Sequence, residues 1–310
     1  MKYIFGIDIG GTTVKCGLFE KDGGLIDKWE IPTDRTDNGK NIMTDVATAI
    51  LSKAAEKGIV KTDIAGIGMG IPGPVLSDGT VLGCINLGWG TVNAKEAMEK
   101  LIGVPVYVGN DANVAALGEA VYGGGRGFDS ILMVTLGTGV GGGLILNGKI
   151  VCGANGAAAE IGHIIVEPDE TDVCGCGGHG HLEQYASATG IVRMAKKRLA
   201  LSDEMTALRK YDPLTAKDIF DEAKNGDAIA LELTDRLGSY LALVLTHVAA
   251  VVDPVAFVIG GGVSKAGTIL TDAIERHYNH NILKALCGKK ILLAELGNDA
   301  GIYGAASMVR

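Results

Sequence analysis

Asp8-Ile9-Gly10-Gly11-Thr12-Thr13, followed by Lys15, places a carboxylate, two glycines, two hydroxyls and an amine in one short segment. Glycine lets backbone N–H groups come close to phosphate oxygens, and threonine hydroxyls add further donors. This is not a Walker A loop, because the residue order differs from GxxxxGK[ST] and the segment leads into a strand. An ordinary hairpin turn is the plain alternative. A second loop, Gly137-Thr138-Gly139-Val140-Gly141-Gly142-Gly143, is similar in kind, and two such loops favour phosphate binding over a chance turn. A third glycine run, Gly260-Gly261-Gly262, ends an apolar strand and allows a flat ligand such as adenine to approach. A strand-to-helix glycine cluster on its own is more often only a turn.

Cys174-x-Cys176-x4-His181, with His163 upstream, offers two thiolates and two imidazoles, a set suited to tetrahedral Zn²⁺ in a closed, structural site. His179 is close enough in sequence to compete with His181. A glycine-rich surface loop with free thiols is the alternative. Glu160 precedes His163 by three residues and Glu183 follows His181 by two, so a metal clamp would fix two carboxylates where they could accept hydrogen bonds from sugar hydroxyls. Asn110-Asp111-Ala112-Asn113 lies between a strand and a helix. Asp111 there could cap the helix, the better reading from position alone, or act as a general base at the carboxyl end of a strand.

The elements that must position these groups alternate. Apolar segments Tyr3–Ile9, Val14–Phe19 and Leu25–Ile31, separated by glycine turns, predict a three-stranded meander. A helix over about 41–57, a strand at Ile64–Met69, a helix near 94–101 and a strand at Val104–Val108 follow. Strands Ser130–Leu136 and Val140–Leu146 flank the second loop; helices at 191–199, 216–224 and 228–251, a strand at 256–259, a helix at 269–279, a strand at 290–294 and a helix at 302–309 complete the chain. The alternation indicates an α/β fold. Phe5–Leu18 and Met133–Leu146 both read as strand, Gly/Thr turn, strand, which suggests an internal duplication and two similar domains, 1–116 and 117–299, facing a cleft.

Composition agrees. The chain has 310 residues, enough for about two domains of roughly 150 residues each. Glycine is unusually frequent at 47 residues, but with only 7 prolines and no Gly-x-y period the chain is neither collagen-like nor low-complexity. The net charge of −8 repels polyanions and anionic membrane surfaces, so neither nucleic acid nor membrane is an expected partner. The most apolar stretch, Tyr240–Gly262, is interrupted by His247 and Asp253-Pro254 and reads as a buried helix and strand. Six cysteines do not form a disulfide-scaffold pattern, and a cytoplasmic protein is expected.

The ordered set Asp8-Ile-Gly-Gly-Thr-Thr-x-Lys15, Gly70-Ile-Pro-Gly-Pro74, Asn86-Leu-Gly-Trp89, Gly109-Asn-Asp-Ala-Asn113, Leu136-Gly-Thr-Gly-Val-Gly-Gly-Gly143, Gly153-Ala-Asn-Gly156, Glu160-Ile-Gly-His163, Cys174-Gly-Cys-Gly177 and Ile259-Gly-Gly-Gly-Val263 resembles the ROK family (repressors, open-reading-frame proteins and sugar kinases), in particular its glucokinases. The resemblance implies an actin-like, ribonuclease-H-like duplicated two-domain ATPase fold with an interdomain cleft, the helix at 300–310 returning to the N-terminal domain. It implies ATP-dependent phosphorylation of a hexose at its 6-hydroxyl, with Asp111 as catalytic base and Gly73, Asn86, Asn110, Asp111, Glu160, His163 and Glu183 binding the sugar. Asp8, Gly10, Gly11, Thr12, Thr13, Lys15, Gly137, Thr138, Gly139, Gly261 and Gly262 would hold ATP and Mg²⁺, and His163, Cys174, Cys176 and His181 a structural Zn²⁺. Family members usually carry a third cysteine where His181 stands, so a Cys2His2 site is expected in place of Cys3His. Glucose is the favoured hexose, with N-acetylmannosamine, fructose, mannose or allose as alternatives, and a homodimer or homotetramer is implied. A sugar-sensing regulator of the same family is the competing class, for which the first strand leaves no room for a preceding DNA-binding segment.

Overall fold

In the computed structural model all 310 residues are described. The elements in order are β1 (Tyr3–Ile9), β2 (Thr13–Glu20), β3 (Leu25–Pro32), α1 (Thr36–Gly39), α2 (Ile42–Glu56), β4 (Ile64–Ile71), β5 (Thr80–Val81), β6 (Val92–Asn93), α3 (Ala94–Ile102), β7 (Val106–Asn110) and α4 (Asp111–Tyr122). They continue with β8 (Ile131–Leu136), β9 (Val140–Leu146), β10 (Lys149–Ile150), α5 (Glu183–Ala186), α6 (Ala188–Leu201), α7 (Ala216–Lys224), α8 (Ala228–Val252), β11 (Ala256–Gly260), α9 (Thr268–Asn281), β12 (Lys290–Leu293) and α10 (Ala300–Ser307).

The first sheet has the order β3-β2-β1-β4-β7 and the second β10-β9-β8-β11-β12. In each, an antiparallel meander continues into two parallel strands: β1 pairs in parallel with β4 and β4 with β7, as β8 does with β11 and β11 with β12. The repeat read from the two glycine hairpins therefore extends to the whole sheet.

The chain divides into two compact units, one of residues 1–129, 143–158 and 296–310, the other of 130–142 and 159–295. The expected boundary at 116 instead falls inside α4. That helix is held whole by the C-terminal segment: a Cβ on Gly118 would lie 2.3 Å from the Ala300 carbonyl, and one on Gly304 would lie 1.7 Å from that of Val114.

Strand alternation assigns the two faces of the first sheet. Phe5, Ile7 and Ile9 join Val46, Ile50 and Met69 in one buried cluster, while Ile4 and Phe19 pack with Ile302 and Ala306 on the other face. Gly6 belongs to the second face, where a Cβ would meet the Ile302 carbonyl at 2.1 Å, so only glycine admits α10 this closely. Asp8 follows on that face, and α10 approaches it at Gly301.

In the other unit α8 is apolar and long enough to cross a bilayer by composition alone, but half of its most apolar window is buried in the protein. It is a core helix, ended by Asp253 in the left-handed conformation, and β11 follows with every residue buried.

Candidate active site

In the first unit Asn110 ends β7 and caps α4. Its Oδ1 accepts the Asn113 N–H at 3.1 Å, the capping role that position alone would give to Asp111. Asp111 is instead the first helical residue. Its Oδ1 accepts from the Ala112 N–H at 2.8 Å and from Asn110 Nδ2 at 3.0 Å, and the same Nδ2 donates to the Gly73 carbonyl at 3.0 Å. Three of the sequence-assigned residues, Gly73, Asn110 and Asp111, thus form one hydrogen-bonded unit. Both N–H groups of Asn110 are engaged within it, so its remaining capacity toward a sugar is the second lone pair of Oδ1.

Asp8 stands on β1 opposite Lys15 of β2. Burial raises its carboxyl to about 6; Lys15 opposes the shift and Asp111 adds to it. Burial also raises Asp111, against the N–H groups that its carboxylate accepts. A buried carboxylate whose charge is opposed by burial and by Asp111 makes Asp8 an oxygen donor suited to a hard divalent cation such as Mg²⁺. One donor of Lys15 is engaged, its Nζ donating to the Asn298 carbonyl at 2.9 Å, and two remain for a phosphate. Loop 10–13 closes with the Gly10 N–H donating to the Thr13 carbonyl at 3.0 Å. Asn86 borders this loop, and a Cβ on Gly11 would lie 3.4 Å from its carbonyl.

In the second unit His163, Cys174, Cys176 and His181 bring one ligand atom each to within 4.8 Å of one another. Cys176 Sγ lies 3.2 Å from His181 Nδ1, and the two imidazole rings meet edge to face at 5.4 Å. Two sulfurs and two nitrogens at this separation fit tetrahedral Zn²⁺ with little adjustment. His179 is left out of the cluster and bridges to Val173. Without a cation, burial pushes the Cys174 thiol up to about 11; a bound metal would reverse this and hold the thiolate.

Glu183 is built onto the same cluster. Cys174 Sγ donates to Glu183 Oε1 at 2.8 Å, and His163 Nδ1 stands 4.0 Å from the same oxygen. The other carboxylate oxygen crowds the second glycine loop, 2.6 Å from where a Gly139 Cβ would be. Glu160 is exposed at the start of the short turn Ile161–His163, its carbonyl accepting the His163 N–H at 3.2 Å, and no side-chain hydrogen bond joins it to the cluster.

The second loop closes like the first, with the Gly137 N–H donating to the Gly139 carbonyl at 3.0 Å. Gly261, at φ +83°, crosses the start of this loop so closely that a Cβ would be 2.5 Å from the Leu136 carbonyl. Beside Gly262 a cavity of about 450 Å³ is lined by Val263, Lys265, Phe220 and Lys217. The α7 wall of this cavity was not singled out in the sequence. Its only local signal is the Thr215/Asp218 capping box that starts the helix.

Two mixed sheets of the same order, each carrying a glycine loop between its first two hairpin strands, define the actin-like class of ATPase folds. The chain belongs to the ROK family, which it matches over residues 4–310. It is 42% identical to a glucokinase of Halalkalibacterium halodurans over all of this chain and 95% of that one. It is 34% identical to an N-acetylgalactosamine kinase of Shewanella over 97% of this chain and 95% of the relative. A ROK glucokinase from Streptomyces griseus, solved with glucose and AMPPNP, superposes with a TM-score of 0.74 at 35% identity, covering 99% of this chain and 98% of that one.

Proposed function

We propose that this protein transfers the γ-phosphoryl group of ATP to the 6-hydroxyl of a hexose, with glucose as the preferred acceptor. The observation that carries the reading is Asp111. One of its carboxylate oxygens is fixed by two N–H donors, and it shares a unit with Asp8 and a glycine loop. The 42% identity to a glucokinase over the full chain supports glucose in particular.

Asp111 accepts the hydroxyl proton as the oxygen attacks phosphorus, using the oxygen that its protein donors leave exposed to acceptance. Asn110 and Gly73 keep that carboxylate in orientation. The N–H groups of loops 10–13 and 137–139 take the phosphate oxygens, and Gly261, Gly262 and the α7 wall take the nucleoside. Asp8 holds Mg²⁺, which supplies charge neutralisation at the transferring phosphate when bound. His163, Cys174, Cys176 and His181 hold Zn²⁺, which supplies no chemistry beyond fixing the loop that carries Glu183. Glu183, Glu160, His163 and Asn86 accept or donate to the sugar hydroxyls.

The acidic net charge and the six free cysteines support a cytoplasmic enzyme. The exposed apolar side chains of Leu243, Val251 and Val255 give a second copy a surface to cover, in line with a homodimer or homotetramer.

The test is ADP release from Mg-ATP with glucose, mannose, fructose, allose, N-acetylmannosamine and N-acetylgalactosamine as acceptors. Turnover highest with glucose is expected. A higher kcat/KM with another sugar replaces the acceptor, and no turnover with any of them contradicts the kinase reading.

A further inference from the structure

The two glycine loops share a device that their own residues do not contain. In the first unit, Thr33, just beyond β3, donates its backbone N–H to the Thr12 carbonyl at 2.9 Å and its hydroxyl to the Gly10 carbonyl at 2.7 Å. In the second, the start of α6 does the same work with two adjacent residues. The Ala188 N–H donates to the Gly137 carbonyl at 2.8 Å, and the Thr189 hydroxyl donates to the Thr138 carbonyl at 2.6 Å.

Together with the closing bonds of each loop, the carbonyls of Gly10, Thr12 and Thr13, and of Gly137, Thr138 and Gly139, all accept from protein donors. The N–H groups of Gly11 and Thr12, and of Thr138 and Gly139, have no backbone acceptor. Peptide units whose carbonyls are drawn into the protein present their N–H groups the other way, which makes a concave donor surface for an anion. A carbonyl released from its donor could swing toward that surface and oppose the same anion.

We propose that Thr33 and Thr189 are a matched pair of positioning residues, each using its hydroxyl to turn one loop carbonyl away from the ATP phosphates. The proposal rests on the kinase reading for the identity of the anion. Each threonine is assigned to act through its loop, by the hydrogen bond it donates to a loop carbonyl. The hydroxyl is the only part of either side chain that the device requires, so valine removes it at nearly constant shape, at Thr189 together with its 3.0 Å contact to Ser187 Oγ, and serine restores it.

The experiment measures Mg-AMPPNP affinity by calorimetry for wild type, Thr33→Val, Thr189→Val, Thr33→Ser and Thr189→Ser, with thermal unfolding and glucose affinity measured alongside. Each valine variant is expected to bind Mg-AMPPNP about three- to tenfold more weakly, as for loss of one neutral hydrogen bond, with the serine variants within twofold of wild type. In turnover, KM for ATP should rise with the valine variants while KM for glucose stays within twofold. Valine variants with wild-type nucleotide affinity would overturn the proposal. So would serine variants as weak as valine, or equal losses of nucleotide and glucose affinity with a lowered Tm, the pattern of a purely structural role. Failure of the kinase reading is separate: a wild type that turns over no sugar, while nucleotide affinity still depends on the two hydroxyls, contradicts the activity and leaves the loop device standing.

Discussion

Asn110 Nδ2 lies 3.0 Å from Asp111 Oδ1, so the residue that caps α4 also orients the carboxylate that starts it. The strand β7 ends and the helix begins between these two neighbours. Capping of α4 and orientation of the Asp111 carboxylate therefore depend on one amide group.

Replacing that amide by a carboxylate separates the functions. Asn110→Asp keeps a good capping oxygen but removes both N–H donors and places a like charge beside Asp111. Like charge raises the pKa of Asp111 further above the ordinary carboxylate range, a direction in which burial already moves it. The expected outcome is a small change in Tm, a tenfold or greater loss of kcat at pH 7, and an acid limb of the pH–rate profile moved to higher pH. A profile with its acid limb unmoved would contradict the orienting role.

Burial of the Asp8 carboxyl makes stability depend on pH. Its folded pKa of about 6 exceeds the ordinary 3.8, so between these values the folded state binds more protons than the unfolded one. Stability then falls as pH rises through that window, and above it the charged carboxyl costs roughly 2–3 kcal/mol. In metal-free buffer Asp8→Asn should raise stability at pH 7 by an amount of that order and leave it nearly unchanged at pH 4, while turnover collapses. Denaturant unfolding of both proteins at the two pH values checks this, and a variant less stable than wild type at pH 7 would refute it.

The strands of the first meander are legible because alternation and glycine turns are local signals, and β1 begins and ends where the residues predict. The His163/Cys174/Cys176/His181 grouping is legible too, since donor types at short spacing are chemistry written directly in the sequence. Its finer choice is less so. His181 excludes His179 because the 173–181 segment folds back on itself, with Val173 bridging His179 and Ile165 bridging His181. The boundary near 116 rests on the hairpin repeat alone; the return of the 300–310 segment is implied by the resemblance, but nothing local to α4 marks how far α10 packs along it. Thr33 and Thr189 were also out of reach: their loop partners lie 23 and 51 residues away, and isolated threonines carry no signal.

Metal removal should act through Glu183. Chelation, or His181→Ala, is expected to lower Tm and raise KM for the hexose about tenfold or more, with a smaller change in KM for ATP, because Cys174 and His163 lie against the Glu183 carboxylate. His181→Cys, which restores the more common family pattern, should retain metal. Elemental analysis showing no zinc in protein purified without chelator, with activity unaffected by chelation, would contradict the assignment.

As proposed, Asp111 takes the proton from the sugar hydroxyl, and its amide variant tests this most directly. Turnover and glucose binding are measured together for wild type and Asp111→Asn, an exchange that keeps shape and removes basicity. A loss of kcat of about a hundredfold or more is expected, with glucose affinity within a few-fold of wild type. A variant that keeps a tenth or more of wild-type turnover would contradict it.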